Sequence, residues 1–254
     1  MQLPNLKWVQ SLWAGVENLV QTLPNDIDIV RMVDPNLAKT MAEAALTMTL
    51  FLHRNLPSYA DHQAASIWQQ HPVHLPQDRN IGILGLGELG RAAGAKLTQN
   101  GFNVLGWSRS PKSIANIQCH SGKEGLINLL GTSDIVVVLL PLTAETNGLL
   151  DKKRLLQIKP GASIINLGRA QIIEIDAMLG MLNAGHLKHV VLDVFETEPL
   201  PTCDPLWTTA NLTILPHVSA PTNMETASEI VAGNINSYYK TGQIPLSVSR
   251  EKGY

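Results

Sequence analysis

Two cysteines, Cys119 and Cys203, are all that the 254 residues contain. They lie far apart and make neither a disulfide framework nor a C-x-x-C metal pair, so both are read as reduced thiols without a role. The opening Met-Gln-Leu-Pro-Asn-Leu-Lys lacks the basic segment and apolar run of a signal peptide. The longest apolar runs, such as 135–142, are far too short to span a bilayer. Net charge is only −2, with acids and bases interspersed, so no basic stripe marks a nucleic-acid surface. No internal repeat or low-complexity tract interrupts the chain. These absences exclude a membrane span and a nucleic-acid partner, and they leave a soluble cytoplasmic protein as the expectation. What is present is a 44% hydrophobic composition, sufficient for a sizeable core, on a length that suits one large domain or one and a half ordinary ones. A small anionic substrate would be held by a few placed cations rather than by a global field.

From residue 80 onward, short β-branched runs alternate with helical patterns. Strands are expected at 80–84, 103–107, 135–140, 163–167, 190–194 and 212–215. Helices are expected at 89–100, closed by Gly101, and at 175–183, followed by Gly185. This order argues for a Rossmann-type doubly wound parallel sheet, an α/β fold. The flanks differ. Strands are expected at 8–12 and 27–32, with a loop and helix start at 14–18 between them. Thr40-Met41-Ala42-Glu43 has capping-box spacing and is expected to open a long apolar helix to about 53. A second helix is expected at 59–69, and a proline-bearing linker at 71–78. Thr222-Asn223-Met224-Glu225 is read as a second capping box, opening a helix that Gly242 stops. The expected organisation is a small N-terminal unit at 1–35, a large central domain at 36–221, and a C-terminal helix at 222–254 returning to the small unit. The apolar helix from Thr40 and the helix at 59–69 serve either a homodimer contact or packing within the chain.

The sharpest local signal is Gly85-Leu86-Gly87-Glu88-Leu89-Gly90. It follows an expected strand and opens an expected helix, and that context turns a weak G-x-G-x-x-G match into a specific one. Gly85 permits the tight turn, Gly87 lets the backbone approach a pyrophosphate, and Gly90 lets helix and strand pack closely. The free N–H groups of the helix start then face the phosphates. About twenty residues on, where an NAD enzyme places an acid for the ribose 2′-hydroxyl, the chain has Trp107-Ser108-Arg109-Ser110-Pro111-Lys112. No carboxylate is available there. Ser108, Arg109 and Lys112 suit a 2′-phosphate, so the expected cofactor is NADPH in preference to NADH.

Arg169, Glu198 and His217 each follow a strand end, on the edge of an open α/β sheet where ligands bind. Reduction of a ketone needs a proton donor, a group that stabilises the donor's charged form and a cation for the substrate carboxylate. His217, Glu198 and Arg169 fit those roles in that order. Singly, each also reads as an ordinary loop residue; it is the set that points to chemistry. His71/His74 and His186/His189 have metal-like spacing, but neither pair has a third ligand nearby. They are expected to be solvated, and no metal is expected.

Five ordered motifs, 85–90, Leu140-Pro141-Leu142-Thr143-Ala144-Glu145-Thr146, 166–169, 192–199 and 216–220, resemble those of the D-2-hydroxyacid dehydrogenase family over nearly the whole chain. The resemblance implies a second, smaller flavodoxin-like substrate domain beside the nucleotide-binding one. It implies that Arg169, Glu198 and His217 are catalytic and that Asp193 binds the nicotinamide carboxamide. Glu88, Leu89, Leu140, Pro141, Thr146, Leu167, Gly168, Arg169, His217 and Ser219 would join the glycines, Ser108, Arg109 and Lys112 around the cofactor. The backbone of Ala14-Gly15, with Arg169 and His217, would hold the substrate. The Trp-Ser-Arg turn, Pro-Leu-Trp at 205–207 and the terminal Glu-Lys-Gly-Tyr resemble the branch that reduces the small 2-keto acids glyoxylate and hydroxypyruvate. Trp13 and Trp207 are candidates either for that pocket or for the core. The chain departs from the family at Ala170, where glycine is usual, and at Glu17, where aspartate is common. Family members usually carry further strand–helix units before the segment equivalent to 6–15, so the small domain is expected to be incomplete, with open strand edges. The intact Arg169/Glu198/His217 set argues against a nicotinamide-sensing regulatory protein of the same fold. The missing acid at Ser108 weighs against phosphoglycerate-type and other NAD-using enzymes. A methyltransferase would share only the glycine loop.

Overall fold

β-Branched runs with no polar face form the centre of the molecule. The computed structural model describes residues 3 and 5–250. In chain order the elements are β1 (Trp8–Gln10), α1 (Glu17–Thr22), β2 (Asp28–Val30), α2 (Pro35–His53), α3 (Leu56–Ala64), β3 (Asn80–Leu84), α4 (Glu88–Gln99), β4 (Asn103–Ser108), β5 (Gln118–Ser121), α5 (Gly122–Thr132), β6 (Ile135–Val138), α6 (Lys152–Leu155), β7 (Ala162–Asn166), α7 (Ile175–Asn183), β8 (Leu187–Leu192), β9 (Leu212–Ile214) and α8 (Met224–Thr241). Seven strands make one sheet in the order β5-β4-β3-β6-β7-β8-β9, and every pairing is parallel. All four residues of β6 and all five of β7 are buried, as strands covered on both faces must be.

Alternation along the strands divides the core in two. Leu84, Leu105, Val136, Val138, Ile164 and Val190 face Leu126, Leu129 and Leu130 of α5 and Met178, Met181 and Leu182 of α7. Ile81, Ile83, Val104, Val137, Ile165 and Val191 face Met41, Ala45 and Leu52 of α2 and Ala93 and Leu97 of α4. The apolar face of α2 is therefore used within the chain. The strand order reverses between β3 and β6, the place where such sheets bind their ligands.

β1 and β2 form a separate parallel pair. The chain's end returns to them. Asn234 Nδ2 donates to Gln10 Oε1 at 2.7 Å, Tyr238 meets Trp8 edge-on, and the Val248 N–H donates to the Ile29 carbonyl at 2.7 Å. The Arg250 guanidinium donates to four carbonyls between Val20 and Ile27.

Both expected capping boxes are corrected. α2 begins five residues before Thr40: Pro35 occupies the first turn, and the Asp34 side chain accepts from the Asn36 N–H at 2.8 Å. The Thr40 hydroxyl bonds back to the Asn36 carbonyl from inside the helix. At α8 the cap is Asn223, which accepts from Glu225 and Thr226. Thr222 instead donates to the Leu12 carbonyl at 3.1 Å, and Thr226 reaches Asp34 at 2.6 Å. The helix expected at 59–69 runs Leu56–Ala64, because Asn55 and Ser66 turn the chain with φ of 55° and 57° at its two ends. β6 stops at Val138, two residues short of the expected end, and β8 spans Leu187–Leu192 rather than 190–194. β5 and α5 lay outside every expectation: Gln118-Cys119-His120-Ser121 has no apolar run, and α5 has glycines at its first and fourth positions. His189 is not solvated. It is only 8% exposed, with Nε2 2.8 Å from Thr213 Oγ1. His71 is partly buried and stacks on His62. Trp13 and Trp207 are both exposed, so neither is core. Cys119 and Cys203 are free thiols. Among the described residues, no helix is long and apolar enough to cross a membrane, and no cluster of three or more metal-ligating side chains occurs.

Candidate active site

The glycine loop joins β3 to α4. Gly85 has φ of +107°, and a Cβ there would stand 2.6 Å from the Leu139 carbonyl oxygen, so only glycine makes the turn. A Cβ at Gly90 would overlap the Gly85 carbonyl oxygen at 1.7 Å, whereas one at Gly87 would meet nothing within 4 Å. The loop is thus packed tightly behind and open in front. No side chain caps α4, so its first N–H groups, those of Glu88, Leu89 and Gly90, face that open side.

β4 ends beside the loop. Ser108 is buried, and its hydroxyl donates to the Ser110 carbonyl at 2.8 Å. Lys112 Nζ donates to the Leu86 carbonyl at 2.7 Å, tying the basic turn to the glycine loop. Arg109 pairs with Glu145 at 2.7 Å across the surface. Glu145 belongs to the loop that follows β6, where Thr146 Oγ1 donates to the Pro141 carbonyl at 2.6 Å and Leu140 is buried. Ser108, Arg109 and Lys112 therefore gather on one side of the glycine loop. The Arg109–Glu145 contact had no sequence signal.

The turn after β7 carries Leu167, Gly168 and Arg169. Asn166 builds it: its Oδ1 accepts from the Gly168 N–H at 3.1 Å and its Nδ2 donates to the Arg169 carbonyl at 2.9 Å. The Arg169 guanidinium donates to the Gly168 carbonyl through Nη1 at 2.8 Å and reaches Glu17 through Nε at 3.1 Å. Gly15 lies against the same guanidinium, since a Cβ there would fall 1.7 Å from Nη2. The loop of Ala14 and Gly15 and the arginine are therefore in contact.

Past β8 and β9 the chain brings Asp193, Glu198, His217 and Ser219 together. His217 Nδ1 lies 2.8 Å from Glu198 Oε2. An ionised carboxylate can only accept, so Nδ1 carries the proton and donates, leaving Nε2 as the outward nitrogen. The other Glu198 oxygen accepts from the Phe195 N–H at 2.9 Å. Burial pushes the Glu198 carboxyl up, but the hydrogen bonds from His217 and Phe195 and the charges of His217 and Arg169 together hold it below its ordinary value. His217 has φ of 52°, unusual for a residue with a side chain. Asp193 secures this backbone: its two oxygens accept from the N–H groups of Val218 at 2.8 Å and Ser219 at 3.1 Å. A carboxylate has further acceptor sites beyond those two. The Ser219 hydroxyl is buried and has no hydrogen-bond partner among the described residues.

An open-fronted glycine loop on an uncapped helix, a buried hydroxyl in need of a partner and a basic turn tied to that loop by Lys112 all fit a dinucleotide. A parallel doubly wound sheet with these features and a histidine–carboxylate pair at its carboxyl edge defines a dinucleotide-dependent oxidoreductase. The profile of the D-isomer specific 2-hydroxyacid dehydrogenase, NAD binding domain, matches residues 46–219, and the chain belongs to that family. Glyoxylate/hydroxypyruvate reductase A of Serratia proteamaculans (strain 568) is 38% identical over 250 residues, which cover 96% of this chain and 80% of that one. Among solved structures, a D-isomer specific 2-hydroxyacid dehydrogenase of Xanthobacter autotrophicus Py2 in complex with NADPH and MES superimposes with a TM-score of 0.94 at 38% identity, over 99% of this chain and 80% of that one. An NADPH-dependent glyoxylate/hydroxypyruvate reductase of Sinorhizobium meliloti, in complex with NADP and sulfate, gives a TM-score of 0.92 at 33% identity over 99% and 81%. The terminal Glu-Lys-Gly-Tyr lies outside the described residues.

Proposed function

We propose that the protein reduces small 2-keto acids, glyoxylate and hydroxypyruvate among them, to 2-hydroxy acids with NADPH as reductant. The observation that carries this is the 2.8 Å contact from His217 to Glu198, with the Arg169 charge felt at the same carboxylate. The nicotinamide, when bound, supplies the hydride. His217 delivers the proton to the ketone oxygen from Nε2, and Glu198 favours the imidazolium that makes this possible. Arg169 and the N–H groups of the Ala14-Gly15 loop grip the substrate carboxylate. Gly85, Gly87 and Gly90, with the N–H groups that open α4, cradle the pyrophosphate. Ser108, Arg109 and Lys112 receive the 2′-phosphate. The buried Ser219 hydroxyl and the remaining acceptor capacity of Asp193 serve the carboxamide. Leu140, Pro141, Thr146, Leu167 and Gly168 would complete the cofactor's binding surface.

We assign residues 1–35 and 222–254 to the substrate domain and residues 36–221 to cofactor binding, with the active site in the cleft between them. We assign the protein to the cytoplasm, where free thiols such as Cys119 and Cys203 stay reduced. A homodimer is supported by the segment after α3, in which Ile67, Trp68, Val73 and Leu75 are exposed, Trp68 by 97%. Apolar groups that cluster in this way belong at interfaces, and a monomeric mass in solution would refute the assignment.

The test is oxidation of NADPH in the presence of glyoxylate and of hydroxypyruvate, with NADH in parallel. Turnover with a lower KM for NADPH than for NADH supports the proposal. NADPH binding without turnover points instead to a sensor of the same fold.

A further inference from the structure

Among the contacts around Arg169, the one with Glu17 is a placement that no motif foretells. We propose that Glu17 is the positioning residue for the arginine that grips the substrate; the inference rests on the keto-acid function above. A guanidinium has five N–H donors in a fixed plane. Glu17 Oε1 lies 3.1 Å from Nε and its Oε2 lies 3.4 Å from Nη2, so the acid covers the side edge of the guanidinium with both oxygens. The Gly168 carbonyl takes an Nη1 hydrogen. Away from the edge that Glu17 covers, Nη1 and Nη2 each keep one further N–H, a pair suited to a two-point grip on a carboxylate or a 2-keto acid. Nη2 lies against Gly15, where a Cβ would fall 1.7 Å from it and 2.8 Å from Glu17 Oε2. The grip is therefore aimed along the loop whose N–H groups take the same carboxylate.

Glu17 is well placed to hold this orientation. It is the first residue of α1, next to the buried Val16, and its side chain is only 20% exposed. The two partners are 152 residues apart in sequence and stand on opposite sides of the cleft, Glu17 beside the two-stranded sheet and Arg169 on the large one. An arginine with free rotamers would bind the substrate in many poses, whereas one held on its side edge presents a single plane, and orientation of that kind carries much of the rate in bimolecular chemistry.

The test compares wild type with Glu17→Gln, which keeps the shape but loses the charge and one acceptor, and with Glu17→Asp, which keeps both a methylene shorter. For Glu17→Gln the KM for glyoxylate rises and kcat/KM falls, on the order of tenfold or more. The KM for NADPH and the melting temperature stay at their wild-type values, and Glu17→Asp recovers part of the loss. A second readout does not depend on turnover: the affinity of the NADPH-saturated protein for oxamate, a non-reducible 2-keto acid analogue, falls in Glu17→Gln. A Glu17→Gln variant with an unchanged or lower glyoxylate KM, or with wild-type oxamate affinity, overturns the proposal. Failure of the wild type itself to turn over refutes the function and is read separately, because the oxamate comparison still reports on Glu17.

Discussion

Glu198 accepts the Nδ1 proton of His217 at 2.8 Å, on a backbone that Asp193 fastens through the next two N–H groups. This relay of three side chains from two loops fixes which imidazole nitrogen faces the cleft. The fold favours the ionised form of Glu198, so the stabilisation it brings is present above its ordinary value of 4.5 and fades as pH falls through the lowered one. Over the working range Glu198 is therefore a carboxylate that accepts from His217 Nδ1. In Glu198→Gln the hydrogen bond that orients His217 Nδ1 loses its charged acceptor, and kcat/KM for reduction at neutral pH falls on the order of 10²-fold. An unchanged kcat/KM would show that the carboxylate has no hold on the proton donor.

Ser108 stands where an NAD enzyme has an acid. Placing a carboxylate there, in Ser108→Asp, sets a negative charge beside Lys112 and Arg109 and against the 2′-phosphate. We expect kcat/KM for NADPH to fall roughly 10- to 100-fold, about 1.4 to 2.7 kcal/mol, while that for NADH holds or rises. Steady-state kinetics with both cofactors checks this.

The glycine loop allows two substitutions to be told apart. Gly87→Val adds a side chain in open space, so the melting temperature holds while NADPH affinity falls by about tenfold or more, the new methyl groups occupying the approach to the pyrophosphate. Gly90→Ala drives a methyl group into the Gly85 carbonyl, so stability and binding fall together. Thermal melts alongside fluorescence titration of NADPH separate the two outcomes.

His189 provides an acid-sensitive element remote from the chemistry. Burial lowers its pKa from 6.5 to about 4 against an opposing pull from Asp61, with a lesser lowering from the Lys188 charge. The unfolded chain binds this proton more readily than the folded one, so stability falls as pH drops through the interval from 6.5 to 4. The loss is about 3 kcal/mol when complete. Urea unfolding across that range shows the decline, and His189→Gln, which can keep a bond to Thr213, flattens it.

How much of this was legible in the sequence follows from how local each signal is. The central strands were plain because strands buried on both faces have no polar alternation to confuse with anything else, as in β6 and β7. The glycine loop, the basic turn at Ser108 and the set of Arg169, Glu198 and His217 could be named as candidates from the sequence because each lies on a segment that follows a strand. What failed was local pattern decided by distant contacts. Thr40 and Thr222 have the spacing of caps, yet Asp34 and Asn223 take the caps, and Thr222 is drawn to Leu12, 210 residues away. His189 looked like half of a solvated pair because the threonine that buries with it lies on the neighbouring strand. The pairing of Glu17 with Arg169 was invisible for the same reason: it crosses the cleft.

The most direct test of the central claim is glyoxylate reduction by wild type and by His217→Ala, each saturated with NADPH. We expect turnover by the wild type and a loss on the order of 10³-fold or more in the variant, with NADPH affinity unchanged. A His217→Ala variant that reduces glyoxylate at a comparable rate would contradict His217 as the proton donor.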